Sequence, residues 1–329
     1  MPSSRVGLLS VLSSRLPRAS RGAKRGICFF TALIFPFLAT SISAQTPPKR
    51  PVITGIDHVR LYVTDIDKER AFYSKLFGVR LDYNNCYGQL HPCFTIGWKR
   101  GQKIALEQAP PGETNFVDEI AFATHDINVT RAYLVGKGLT ATRITKDKYE
   151  KSVLDAHFEV RDPEGHSISF IQVFGVAIDD PLGAPWYVQI IHTGTIVHDR
   201  PAMEHFYKDI LGFRPYWHGG RTDERDDWVS LQVPDGSDWV EFMLNVPDNA
   251  DKRTLGVANH IALGVTDIQA AKAQLIKNGL TLNEEPKIGR GGKWQLNVYD
   301  PDGTRIEFME FTPVQKPCCS EYTSPHPKP

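Results

Sequence analysis

Two glutamates stand inside otherwise apolar runs of this 329-residue chain: Glu241 within Trp239-Val240-Glu241-Phe242-Met243, and Glu307 within Arg305-Ile306-Glu307-Phe308-Met309. Side chains of a strand alternate between faces, so Glu241 shares its face with Trp239 and Met243, and Glu307 with Arg305 and Met309. Burying a carboxylate is costly unless it is paired or bound to a metal. Two histidines, His192 and His260, lie near the starts of two further alternating stretches. Two imidazoles with two carboxylates suit one divalent borderline ion, Zn, Ni, Co, Mn or Fe, without ranking them. The competing reading is structural: a lone histidine at a strand start is more often a hydrogen-bonded framework residue. In that reading Arg305 or Arg290 neutralises the glutamates in a metal-free pocket.

Other chemistry-bearing residues are fewer. The segment Lys287-Ile288-Gly289-Arg290-Gly291-Gly292-Lys293-Trp294 reads either as a basic rim for an anionic substrate or as a solvated loop. Nothing places it between a strand and a helix, so it is not read as a phosphate loop. Cys86 and Cys93 are spaced for a bridge across a short hairpin, with reduced thiols as the alternative, while Cys318 and Cys319 fall in a proline-rich tail. No Cys-x-x-Cys pair occurs, which excludes a thioredoxin-type redox site and a zinc ribbon.

An internal repeat supplies the elements that must position these residues. Four segments each carry an alternating strand closed by Asp: IDHVRLYVTD (56–65), VDEIAFATHD (117–126), IIHTGTIVHD (190–199) and NHIALGVTD (259–267). Each Asp can cap a following helix. His58 to His192 and Phe72 to Phe206 are both 134 apart, and Asp126 to Asp267 and Leu139 to Leu280 are both 141 apart, so the order is A, B, A′, B′. The B-type segments share a turn before their last strand, Asp162-Pro163-Glu164-Gly165 and Asp300-Pro301-Asp302-Gly303. Each module reads as strand, helix and three strands, an α+β pattern of four βαβββ units. A lone module leaves its inner face wet, so pairs close into two cup-shaped domains, 52–174 and 189–312, joined through Gly175 to Trp186. The tail, 313–329, has five prolines in seventeen residues and is expected to be disordered.

The A/B alternation, the first-strand histidines and the Asp-Pro-Asp-Gly turn before a Glu-bearing strand together resemble the vicinal oxygen chelate superfamily. That group includes glyoxalase I, extradiol dioxygenases and bleomycin-resistance proteins, and the resemblance spans nearly the whole chain after the leader. It implies one ligand from the first strand and one from the last strand of each module. In the second pair those positions are His192, Glu241, His260 and Glu307, a complete set for one divalent metal ion. Shifting back by the repeat gives His58, Glu107, Glu119 and Ser169 in the first pair, an incomplete set.

Four protein ligands on an octahedral ion leave two positions for adjacent substrate oxygens, whereas three leave room for O2 as well. The resemblance therefore implies a metal-dependent lyase or isomerase of the glyoxalase I type, stabilising an enediolate of a small oxygenated substrate. Glu307 would be the base and Glu241 a ligand and second proton carrier. Two alternatives stay open: an extradiol ring-cleaving dioxygenase, and a non-catalytic small-molecule binding protein of the bleomycin-resistance type. The chain departs from glyoxalase I at Ile196, where that family carries an arginine for glutathione, and from the dioxygenases at Asn297, where they carry a tyrosine.

Charge and the leader bound the setting. Residues 1–44 hold six basic residues and no acidic one, so the remainder carries 32 basic and 38 acidic groups, net −6. A mildly acidic body argues against a nucleic-acid partner. The basic leader runs into an apolar stretch, Ile27 to Leu38, and small residues up to Ala44, the layout of a signal peptide, with an uncleaved anchor or an organelle transit peptide as the alternatives. The expectation is a secreted or periplasmic monomer or homodimer acting on a small molecule, with membrane contact only through an uncleaved leader.

Overall fold

The structure is a computed structural model that describes residues 49–78, 92–96, 101–113, 116–149, 152–174 and 189–329. The leader, Cys86 and the joining stretch Gly175 to Trp186 lie outside the described residues. Among the described residues no helix is long and apolar enough to cross a membrane.

The modules form in sequence order. The first comprises β1 (Ile53–Val63), α1 (Ile66–Phe77), β2 (Cys93–Ile96) and β3 (Gln102–Gln108). The second comprises β4 (Val117–Thr124), α2 (Ile127–Gly136), β5 (Thr145–Tyr149), β6 (Ser152–Arg161) and β7 (Ser167–Val173). The third has β8 (Gln189–Ile196), α3 (Arg200–Glu204) widening into a π-type turn over His205–Ile210, then β9 (Arg214–Gly219), β10 (Trp228–Gln232) and β11 (Trp239–Met243). A short helix, α4 (Lys252–Ala258), precedes the fourth: β12 (His260–Val265), α5 (Ile268–Lys277), β13 (Lys287–Ile288), β14 (Trp294–Tyr299) and β15 (Arg305–Glu310). All four repeat aspartates cap as their position demands. Asp65 accepts from Lys68 N, Asp126 from Asn128 N and Val129 N, Asp199 from Ala202 N, and Asp267 from Gln269 N and Ala270 N.

Each pair of modules makes one sheet, seven-stranded in the order β2-β3-β1-β4-β7-β6-β5 and eight-stranded in the order β13-β14-β15-β12-β8-β11-β10-β9. The first strands of the two modules lie side by side and antiparallel at the centre. Each module's last strand returns parallel to its own first strand. This connection puts the first-strand histidines of the second sheet in the middle and the last-strand glutamates on either side.

The helix-bearing faces of both sheets share one core. Phe122 and Phe170 of the first sheet belong to the same buried cluster as Phe242 and Phe308 of the second. Polar ties cross between the halves: Tyr133 Oη donates to the Ile210 carbonyl at 2.8 Å, and Gln102 exchanges two hydrogen bonds with the Ile190 backbone. Residues 47–329 accordingly form one compact unit with two cups rather than two separately cored bodies.

The tail corrects the expectation of disorder. Val314 N reaches the Gly292 carbonyl at 2.8 Å, Cys318 N the Arg290 carbonyl at 2.9 Å, and Thr323 N the Tyr216 carbonyl at 3.0 Å. Proline removes donors without preventing such pairing by its neighbours, and Tyr322 packs apolar surface against Tyr216 and Trp217. Cys318 and Cys319 are joined by a disulfide within this segment. Cys93 is also disulfide-bonded.

Candidate metal centre

The concave face of the second sheet gathers the four sequence-derived side chains. His192 Nε2 and His260 Nε2 face each other at 3.0 Å. Glu241 Oε2 is 3.5 Å from His260 Nε2, and Glu307 Oε2 lies 3.6 Å from His192 Nε2 and 3.8 Å from His260 Nε2. Strand register explains the convergence, since Gly194 sits between His260 and Glu241 on neighbouring strands, and Ala262 between His192 and Glu307. Gly194 is needed there: a Cβ at that position would fall 2.0 Å from His260 Cε1.

The electrostatics prepare a donor set. His260 is fully buried and its Nδ1 donates to the Ala258 carbonyl at 2.9 Å, which leaves a lone pair on Nε2. Burial, with Arg305 and His192 adding to it, holds this imidazole well below its ordinary pKa and so neutral. Burial raises the Glu241 carboxyl despite an opposing field from His192. Burial works against ionised Glu307 too, but Arg305 and the hydrogen bond from His192 outweigh it and hold Glu307 below the ordinary range. The His192 ring is stacked on Trp239, centroids 4.6 Å apart, and its Nδ1 has no hydrogen-bond partner among the described residues. Ser230 Oγ donates to Glu241 Oε1 at 3.2 Å. Two converging imidazole nitrogens and two carboxylates, with a single arginine 3.9 Å from one of them, fit a divalent borderline ion. Arg290 does not neutralise the glutamates; it is paired with Asp223 and donates to the Gly220 carbonyl.

The first cup is built differently. Arg60 stands at the register position of Gly194, beside Glu119, the counterpart of His260. Its guanidinium pairs with Asp118 and, at 2.8 Å, with Glu119. His58 Nε2 lies 3.8 Å from Glu119. Burial opposes ionisation of Glu119, but His58 and Arg60 hold its carboxyl below the usual range. Ser169 takes the place of Glu307, as expected. Glu107 does not take that of Glu241: the residue opposite Arg60 on β3 is Ala105, and Glu107 lies opposite Tyr62.

A cavity of about 530 Å3 opens above the second floor, reaching Glu241 and Glu307 and walled by Tyr216, Trp217, Trp228 and Tyr322. The 287–294 segment does form part of this rim. Within it Lys287 pairs with Glu284, while Lys293 turns inward and is buried among aromatic rings. Burial pushes its ammonium down to about 7. The burial of Lys293 and the tail's share of the wall, Cys318 and Tyr322, were not visible in the sequence pattern; the one local signal was the run of glycines around Lys293. Ile196 lies away from this cavity, in a separate cleft with His198 and Asp248.

Comparison with known proteins gives a consistent picture. The family model for the "Glyoxalase/Bleomycin resistance protein/Dioxygenase superfamily" matches residues 55–170 and again 189–308. A lactoylglutathione lyase of Haemophilus influenzae is 35% identical over 129 residues, covering 37% of this chain and 93% of its own length. The lactoylglutathione lyase of Escherichia coli O157:H7 is 32% identical over the same shares. A homoprotocatechuate 2,3-dioxygenase from Brevibacterium fuscum superposes with a TM-score of 0.59 at 19% identity, covering 84% of this chain and 75% of that one. Its counterpart from Arthrobacter globiformis gives 0.58 at 17% identity, covering 79% and 80%. The likeness to these dioxygenases is one of fold.

Proposed function

We propose that this chain, which belongs to the glyoxalase/bleomycin resistance protein/dioxygenase superfamily, is a metal-dependent lyase or isomerase that moves a proton next to a carbonyl of a small oxygenated substrate. The observation that carries the reading is the meeting of His192, Glu241 and His260, whose ligand atoms lie within 4.8 Å of one another, with Glu307 within 3.8 Å of both imidazoles, beneath an open cavity. These four side chains would hold a divalent ion, which would supply Lewis acidity toward a substrate carbonyl. Glu307 faces the cavity as an ionised carboxylate steadied by Arg305, the state a general base needs. Glu241, on the other side of the two imidazoles, is the fourth donor and the second carboxylate able to carry a proton. Trp239 stacks on the His192 ring, and Tyr216 packs against Trp239 in turn. The lactoylglutathione lyase relatives support this reaction class; Ile196 in place of the family's arginine argues against glutathione as the carrier thiol.

The test is turnover of 2-oxoaldehydes, their thiol hemithioacetals and 2-hydroxyketones in deuterated water, run beside an oxygen electrode. Deuterium is expected at the carbon next to the carbonyl, without oxygen consumption. Glu307→Gln should slow the reaction roughly 10²- to 10⁴-fold, the range for losing a general base. Substrate-dependent oxygen uptake with catechols that survives Glu241→Ala would replace this reading with ring cleavage. A metal-free protein that binds these compounds without turnover would replace it with a binding protein.

A further inference from the structure

Lys293 is a buried amine that, among the described residues, has no carboxylate within ion-pair distance. It is 1% exposed, and among the described residues its Nζ makes one hydrogen bond, 3.0 Å to Tyr216 Oη. Three ring faces surround the ammonium: Trp239 with its centroid at 4.9 Å, Tyr322 at 5.1 Å and Tyr216 at 5.3 Å. Such faces favour a positive charge, and burial keeps the Tyr216 phenol protonated, so it offers no counter-charge. The floor carboxylates Glu241 and Glu307 favour the charge from a distance, and neither forms an ion pair with it. The other cations lining the cavity already have carboxylate partners: Lys287 has Glu284, Arg290 has Asp223, Lys316 has Glu321 and Arg305 has Glu307.

A buried charge left unpaired is costly, and a ligand that supplies the missing partner recovers that cost on binding. One ammonium hemmed by rings balances a single negative charge; a phosphate dianion would need further donors that the paired cations do not offer. Lys293 is also coupled to the floor by geometry, because the Trp239 ring that carries its ammonium is the ring stacked on His192. We propose that Lys293 anchors the carboxylate of a small organic acid whose adjacent oxygens reach the His192–Glu241–His260–Glu307 floor. The substrate class is then a monocarboxylic acid with two neighbouring oxygen donors and a body flat enough to lie among Trp217, Trp228 and Tyr322. The inference rests on the floor being the site proposed above.

Binding of two probes, 3,4-dihydroxybenzoate and 4-methylcatechol, tests it through quenching of tryptophan fluorescence in the full chain. Both carry the same adjacent hydroxyls and differ by one carboxylate. The wild type should bind the acid about 10- to 100-fold more tightly, the range for a charged hydrogen bond. In Lys293→Met the preference should fall toward unity through loss of acid binding, with metal content unchanged. Should Lys293→Met fail to fold, Tyr216→Phe serves instead: it removes the one hydrogen bond placing Nζ and should shrink the preference a few-fold. An equal preference in wild type and variant overturns the anchor. Elemental analysis of the same samples separates the two readings: metal present with no acid preference defeats the anchor alone, and acid preference without metal defeats the floor alone.

Discussion

Two cups are built from one repeated module, and their floors carry opposite solutions to the same electrostatic problem. In the first, Arg60 reaches across the centre and neutralises Asp118 and Glu119 with a cation from the chain itself. In the second, Gly194 occupies the matching position and leaves the space that the His260 ring fills. The difference teaches that one register position decides whether a cup supplies its own positive charge or assembles donors for one. His58 and His192 are equivalent by repeat, yet only His192 faces a second imidazole. A first-strand histidine therefore says little until its cross-strand neighbours are known.

The largest effect should come from making the second cup resemble the first. Gly194→Ala puts a methyl group on top of His260 and should weaken metal binding by about 10²-fold or more, beyond the usual cost of disturbing a ligand's support; metal titration of the variant checks this. The reverse change acts on stability. Arg60→Met leaves Glu119, 7% exposed, without its guanidinium partner, and should destabilise the fold by about 3 kcal/mol. Denaturant unfolding measures the loss, and adding Glu119→Gln should restore most of it.

A smaller contrast lies at the seam between the halves. Glu69 of α1 is buried and accepts from Asp302 N, whereas its repeat equivalent in the third module is Met203. Burial, with Asp300 and Asp302 nearby, raises the Glu69 carboxyl to about 9, and burial raises Asp300 to about 7. The folded chain thus holds protons that the unfolded chain has released above the ordinary value of 4.5. The contribution of this pair to stability should be fully present below the ordinary carboxyl range and fall as pH rises toward 9. Thermal melting across this window should show a shallower fall in Glu69→Gln; an unchanged slope would remove Glu69 from the account.

The repeat offsets made much of the fold legible, because caps and turns are local: Asp65, Asp126, Asp199 and Asp267 each needed only their own next few residues. Glu241 and Glu307 were legible because an acid inside an apolar strand has few structural excuses, while His192 and His260 joined them through the ligand positions that the family resemblance implies. Glu107 was misplaced because the third module is two residues longer between its first and last strands, and a shift of two keeps a side chain on the same face. Alternation could not reveal it, and only the pairing of Arg60 with Ala105 did. The tail and Lys293 were hidden for another reason. A proline-rich end and a glycine-rich basic loop read as solvated by composition, and their burial depends on Tyr216 and Trp239, which are far away in sequence.

The central claim is that the second cup alone carries the ion, and elemental analysis of purified wild type, His260→Ala and His58→Ala tests it most directly. Wild type and His58→Ala should each hold about one equivalent of divalent metal, and His260→Ala close to none. Equal loss in both variants, or equal retention, would contradict the account.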